Sequence, residues 1–351
     1  MPASMLAIRF YKPGELKAEQ VPVPELGAGE LLVKSSVALT CGTDVKMYKR
    51  GHPLANPPQI MGHEFAGTVA AVGKGVENFR VGMKVVAANS APCNTCFYCL
   101  SHQPNLCEHL NESLVGFTWP GAYAEYVRVP ERIVRQNTFQ IPDGVALENV
   151  ASLEPLACVV HGWDLVDPVP GGSVVIIGGG PIGLLHAQLA RLNGAGNVIL
   201  CDVMEERLRE AQGVGVDVTI NSANEDLANR ILTLTDNRGA DLVVEAVGRP
   251  ETWETAPHLA RKGGSVLLFG GCPSGTRVSF NTESIHYGEL QIQGAFHHTP
   301  SAVARAFRLI VSGQVDIGPL ISREMPLEKA EEALQLMGSG KALKIALRPP
   351  N

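Results

Sequence analysis

The chain has 351 residues, 45% hydrophobic and 18% charged against a norm of about 25% charged, enough for one or two domains with substantial cores. A net charge of −6, a pI near 5.9 and the lack of any Lys/Arg block exclude the electrostatic footprint of a nucleic-acid binder, and the composition excludes a disordered chain. Eight cysteines without a basic-then-apolar leader point to a reducing cytoplasm, where clustered thiols are read as metal ligands before disulfides.

From Leu6 to about Val134, short apolar runs such as ELLVKSSVAL, FAGTVAAVG and AYAEYVRVP are punctuated by glycine and proline. This pattern predicts an all-β, barrel-like unit with no long amphipathic helix. Within it, Cys41 in TCGTD and His63 in GHEFAG stand 22 residues apart beside glycines at strand ends. With Glu64 or Glu154 as a carboxylate, a thiolate and an imidazole make a three-ligand zinc site with one open position. Further on, PCNTCFYCLSHQPNLC places Cys93, Cys96, Cys99 and Cys107 with two, two and seven residues between them. Four thiolates so close can close around one Zn²⁺ at about 2.3 Å each and leave no open position, which is a structural site. Disulfides and an iron–sulfur cluster are the competing readings, and His102 and His109 are read as surface neighbours rather than ligands.

Near Leu153 the pattern changes to apolar strands alternating with helical segments: SVVIIG, PIGLLHAQLARLNG, NVILCD, VMEERLREAQ, DVTI, then DLVVEAVG, a helix after Pro250, GSVLLFGG and LQIQGAF. Strands apolar on both faces predict a parallel sheet covered by helices. The stretch Ser173–Ala190 holds four glycines, a proline, His186 and Gln188, so it reads as strand, turn and helix rather than a membrane span. Gly178, Gly180 and Gly183 match G-x-G-x-x-G, and the backbone of Gly178, Gly180, Pro181, Ile182 and Gly183 would cradle a pyrophosphate at a helix N-terminus. Asp202 closes the next strand 19 residues after Gly183, placed to accept the ribose hydroxyls of NAD and to repel the 2′-phosphate of NADP. Arg207 keeps dual cofactor use open. Two more helices, near Pro300 and Leu327, and a strand KALKIAL complete the chain.

GHEFAGTVAAVGKGV, from Gly62 to Val76, is similar to the zinc signature of the medium-chain dehydrogenase/reductase superfamily, G-H-E-x₂-G-x₅-G-x₂-V. The cysteine quartet and GGGPIG follow in that family's order and spacing, so the resemblance covers essentially the whole chain. It implies an α/β plus β architecture: a GroES-like catalytic domain over 1–152 carrying the structural zinc lobe, a Rossmann NAD-binding domain with a doubly wound parallel sheet over 153–293, and a segment 294–351 completing the catalytic domain. By position, Cys41 and His63 would hold the catalytic zinc, Asp44 would orient the histidine, and the Thr43 hydroxyl would take the substrate proton. Glu154 occupies the position that is glutamate in the sorbitol dehydrogenase-like branch, where Glu64 can bind zinc directly. Both are therefore named, with Glu64 ahead as the resting ligand.

The resemblance implies a zinc-dependent oxidoreductase, with two Zn²⁺ per chain, that passes hydride from a secondary alcohol of a polyol, sugar or cyclitol to NAD. A threonine-type or simple-alcohol zinc dehydrogenase is the alternative; a non-catalytic binding member is remote because Cys41, Thr43, His63, Glu64 and Glu154 are all in place. Beyond Thr43 the proton relay is open: Lys46 and Met47 follow, and His52 is a candidate substitute against the plainer reading of a surface-loop histidine. Met47 stands where sorbitol dehydrogenases carry an aromatic pocket residue, and Phe117 and Trp119, in GFTWPG, are read either as lining the substrate pocket or as ordinary core packing. His297 and His298, standing where sorbitol dehydrogenases carry Arg-Tyr, are expected to meet hydroxyls, phosphate or carboxylate. Partners are expected to be the small-molecule alcohol and further copies of the chain, as a homotetramer or homodimer, with LQIQGAF a candidate interface strand; neither nucleic acid nor membrane is expected.

Overall fold

The computed structural model describes residues 1–350. By its internal contacts the chain divides into a unit formed by Met1–Ala157 with the segment from His298 onward, and a unit Cys158–His297. No helix among the described residues is long and apolar enough to cross a membrane.

In the first unit, Leu31–Leu39 is the central strand of a seven-stranded sheet. It pairs antiparallel with Glu64–Val72, Tyr126–Val129 and Lys344–Arg348, so sequence-distant segments converge on it. A three-stranded sheet of Glu15–Pro22, Ser4–Lys12 and Gln59–Ile60 completes the β structure. Leu31, Val33, Phe65, Val69, Val85, Ile133 and Ile345 all belong to one buried core. The expected β unit is interrupted by a nine-residue helix, Gly42–Arg50. Its start is fixed by Asp44, which accepts the Cys41 N–H at 3.0 Å, and Val45 and Tyr48, three apart on one face, pack into the core.

In the second unit, six strands run parallel in the spatial order Val218–Asn221, Asn197–Asp202, Ser173–Ile177, Ala240–Glu245, Ala260–Leu268, Gln291–Gly294. In chain order this is 3-2-1-4-5-6, the doubly wound Rossmann arrangement, whose strand order reverses beside Ser173–Ile177. The helix Pro181–Leu192 follows that strand through the glycine turn.

At the opposite, amino-terminal end of these strands Asp241 ties three of them together. Its Oδ2 accepts Ser173 N–H at 2.7 Å and Ser173 Oγ–H at 2.9 Å, and its Oδ1 accepts Arg261 Nε–H at 2.6 Å. Burial opposes the charge, but the Ser173 and Arg261 donors outweigh it and hold the carboxyl below its ordinary 3.8. A depressed carboxylate contributes stability above its unfolded pKa and loses it as the pH falls through the folded one. Asp241→Asn is therefore expected to cost about 1–3 kcal/mol at neutral pH, with the gap to the parent narrowing as urea unfolding is repeated below pH 3.8. A gap unchanged by pH would assign the loss to packing rather than charge.

Candidate metal centres and cofactor turn

The pairing of Leu39 with Glu64 sets the first centre. Thr40 and Cys41 follow directly on Leu39, and Gly62 and His63 directly precede Glu64, so the two segments leave this pair side by side. Cys41 then caps the helix Gly42–Arg50, and Thr43 lies half-buried in its first turn. Cys41, His63 and Glu64 offer ligand atoms within 4.8 Å of one another, and Glu154 Oε2, in the first turn of the helix Leu153–Trp163, lies 4.0 Å from His63 Nε2. On the other ring nitrogen, His63 Nδ1 is 3.3 Å from Asp44 Oδ1, an ion-pair contact without hydrogen-bond alignment. Burial disfavours the imidazolium, yet Asp44 and Cys41 outweigh it and hold the His63 pKa well above its usual value. A half-buried thiol and buried carboxylates that drive a proton onto imidazole are the donor set that favours a divalent cation.

Two further residues, not found in the sequence, complete this centre. Tyr123, fully buried, donates its hydroxyl to Asp44 Oδ2 at 2.7 Å. Burial, then the Asp44 charge, holds its pKa well above 10, so it stays a donor. Gly62 is required here: its φ is +87°, and a Cβ would sit 2.3 Å from the Tyr123 ring. Lys344, 1% exposed, donates to both oxygens of Glu64 at 2.6 Å and to the Thr40 carbonyl at 3.2 Å. The two charges neutralise each other in an interior where either alone would be costly. The structure thus engages Glu64 with Lys344, while Glu154 approaches His63 from outside that pair.

Of the expected pocket residues, Phe117 stands beside the centre, its ring 5.4 Å from that of His63. His298 is buried, with Nε2 3.1 Å from Asn89 Oδ1, and a ring nitrogen lies within 4.8 Å of a Glu154 oxygen. His297 ends the second unit in the left-handed region at φ +61°. Met47 is packed in the core at 1% exposure. Trp119 donates its indole N–H to the Arg128 carbonyl at 3.1 Å and lies under the Arg128 guanidinium, 4.7 Å from its ring centroid. Met47 thus lies on the core-facing side of the helix Gly42–Arg50, and Trp119 packs against Arg128.

The quartet forms the second centre. Sulfur–sulfur distances are 3.5 Å for Cys96–Cys99, 3.8 Å for Cys96–Cys107 and 3.9 Å for Cys93–Cys99, and none of the four is in a disulfide. A tetrahedron with metal–sulfur bonds of about 2.3 Å has edges of about 3.8 Å, so these sulfurs fit Zn²⁺. The amides of Thr95 and Cys96 donate to Cys93 Sγ at 3.4 and 3.3 Å, and the Cys93 and His109 amides to Cys107 Sγ at 3.3 and 3.4 Å. The Thr95 hydroxyl, with these amides, brings Cys93 down to about 5, whereas burial pushes Cys99 up to about 12. The His109 side chain turns away to Glu112 at 2.6 Å, and His102 is exposed.

In the second unit, Gly178 has φ +110°, and a Cβ on Gly183 would lie 1.8 Å from the Gly178 carbonyl, so helix and strand meet only through glycine. Asp202 accepts the Gly179 N–H at 2.7 Å and the Met204 N–H at 2.9 Å, while Arg207 Nη1 lies 3.7 Å from it. The carboxylate therefore joins the glycine turn to the end of the second strand, with a guanidinium beside it.

Replacing Tyr123 by Phe removes one of the two hydrogen bonds that fix Asp44 Oδ2. Outer donors of this kind typically contribute 10–100-fold to metal affinity. Tyr123→Phe is expected to weaken Zn²⁺ binding at the first centre by about that factor in chelator competition; equal affinity would show that Asp44 is held without it.

Residues 27–143 match the alcohol dehydrogenase GroES-like domain, and residues 181–312 match the zinc-binding dehydrogenase family. Over 99% of its length the chain is 34% identical to D-arabinitol dehydrogenase 1 of Uromyces fabae, of which 98% is covered. It is 35% identical over 98% of its length to L-threonine 3-dehydrogenase of Pyrococcus furiosus, of which 99% is covered. Among solved structures, a zinc-binding dehydrogenase from Sinorhizobium meliloti 1021 bound to NADP superposes with a TM-score of 0.92 at 33% identity, covering 99% of this chain and 100% of that one. The two domain matches, the whole-length relatives and the two cation-ready clusters agree: this chain is an enzyme of the zinc-dependent medium-chain dehydrogenase superfamily.

Proposed function

We propose that this enzyme oxidises the secondary hydroxyl of a polyol, sugar or cyclitol to the ketone, transferring hydride to NAD. The observation that carries the reading is the polar company of His63: a Glu154 carboxylate at 4.0 Å, itself within 4.8 Å of a ring nitrogen of the buried His298. Carboxylate and imidazole side by side suit a substrate with several hydroxyls better than an alkyl chain. The similarity to D-arabinitol dehydrogenase supports it.

Cys41, His63 and Glu154 would hold the catalytic zinc, and Cys93, Cys96, Cys99 and Cys107 the structural one, giving two per chain. Bound there, Zn²⁺ supplies a Lewis acid that lowers the pKa of a coordinated hydroxyl. Asp44, steadied by Tyr123 and the Cys41 amide, sets the direction of the His63 ring. Thr43 takes the hydroxyl proton. The Glu64–Lys344 pair is internally neutral, so a thiolate and one carboxylate balance the dication. Charge thus favours Glu154 over Glu64 as the resting ligand. Gly178, Gly180, Pro181, Ile182 and Gly183 would seat the pyrophosphate and Asp202 the adenosine ribose; Arg207 leaves NADP admissible. The strand Gln291–Gly294 is an exposed sheet edge flanked by exposed Tyr287 and Phe296, which suits pairing between copies in a dimer or tetramer. A cytoplasmic enzyme fits the thiol-based sites.

Two measurements test this. Reduction of NAD at alkaline pH, with NADP in parallel, should be fastest with polyols, sugars or cyclitols in a screen that includes threonine and simple alcohols. Turnover confined to threonine or simple alcohols would leave the zinc mechanism and overturn the substrate class. Metal analysis of Glu154→Ala should show zinc at the first centre bound at least about tenfold more weakly, with the quartet still loaded. Undiminished zinc would transfer the ligand role to Glu64.

A further inference from the structure

The loop after the helix Gly42–Arg50 holds a histidine whose surroundings are not those of a surface residue. Gly51, at φ +79°, ends the helix and turns the chain, and His52 follows half-buried. Its ring lies 4.8 Å from the Phe117 ring at 58°, and Phe117 in turn lies 5.4 Å from His63 at 42°. Phe117 is therefore one wall shared by the metal-centre histidine and by His52. Packing alone would be served as well by an aliphatic side chain, and this one carries two nitrogens. The Leu54 amide donates to His52 Nδ1 at 3.3 Å, which makes Nδ1 the acceptor and leaves the hydrogen on Nε2. Burial, with Arg50 and His63 adding to it, holds the ring below its usual pKa. An Nε2–H donor beside the aromatic ring that also faces the metal-centre histidine suits an oxygen acceptor.

We propose that His52 is a specificity residue whose Nε2–H hydrogen-bonds an oxygen at the end of the substrate remote from its reacting carbon. The ligand class is a secondary alcohol carrying a second polar group, hydroxyl or carboxylate, several bonds from the carbinol. His52 touches the remote group only and takes no part in proton or hydride transfer. Lys46 and Met47, the side chains nearer to Thr43, do not compete for this role, since Lys46 is exposed and Met47 is sealed in the core. The inference rests on secondary-alcohol oxidation at the Cys41–His63 centre, but not on the substrate being a polyol.

The test compares parent, His52→Phe and His52→Gln in the zinc-loaded enzyme. Phe keeps the ring contact with Phe117 and removes the donor; Gln restores an N–H donor. For each, kcat/KM is measured with the best polar secondary alcohol from sorbitol, D-arabinitol, myo-inositol and threonine, and with 2-propanol, at saturating NAD. The polar-to-2-propanol ratio should fall at least about tenfold in His52→Phe, through KM rather than kcat, and recover most of the way in His52→Gln. A proportionate loss on both substrates, or no loss, overturns the assignment. If the best polar substrate is threonine and its ratio falls, the polyol reading fails while the role of His52 stands. If only 2-propanol is oxidised, both fail.

Discussion

The antiparallel pairing of Leu39 with Glu64 is the constraint from which the first candidate metal centre follows. Side chains alternate across a strand, so a slip of one residue would turn His63 and Glu64 to the wrong faces. That register is locked from the other side as well. The strand Lys344–Arg348 pairs with Leu39 through Ala346, and the Ile345 amide donates to the Thr40 hydroxyl at 2.8 Å. One strand thus carries the site between two neighbours whose first residues, Glu64 and Lys344, are 280 residues apart in the chain.

Around that frame the buried charges are assembled in matched sets. Asp44 faces His63, the Cys41 amide and Tyr123; Glu64 faces Lys344. An isolated carboxylate at either position would take up a proton or disrupt the core. Pairing lets several ionisable groups share a small volume without swelling it. The quartet solves the same problem by a different route, with backbone amides directed at sulfur.

The parts of the site legible in the sequence are those written by short-range spacing. The cysteine quartet and the glycine turn each occupy one local segment, and their geometry is dictated by a few backbone angles. The alternation of apolar strands with helical segments likewise announced the parallel sheet. Lys344 was not legible, because 280 residues separate it from Glu64 and nothing in KALKIAL distinguishes a buried lysine from a solvated one. Tyr123 was hidden in an ordinary strand pattern; its only trace was the glycine at 62 that makes room for its ring. The helix Gly42–Arg50 escaped notice since nine residues give too few turns for a helical period to show. Met47 and Trp119 remain pocket candidates by resemblance alone; the contacts they make are with the core and with Arg128.

Asp241 and Asp202 lie at opposite ends of the same parallel sheet, the first binding strand beginnings together and the second meeting the glycine turn. Residues so far apart with no shared partner contribute to the free energy almost additively. Redesign of the glycine-turn end can therefore proceed without eroding the reserve of stability stored at the other, and a thermostabilised version of this scaffold would tolerate bolder changes around Asp202 and Arg207 than the parent does.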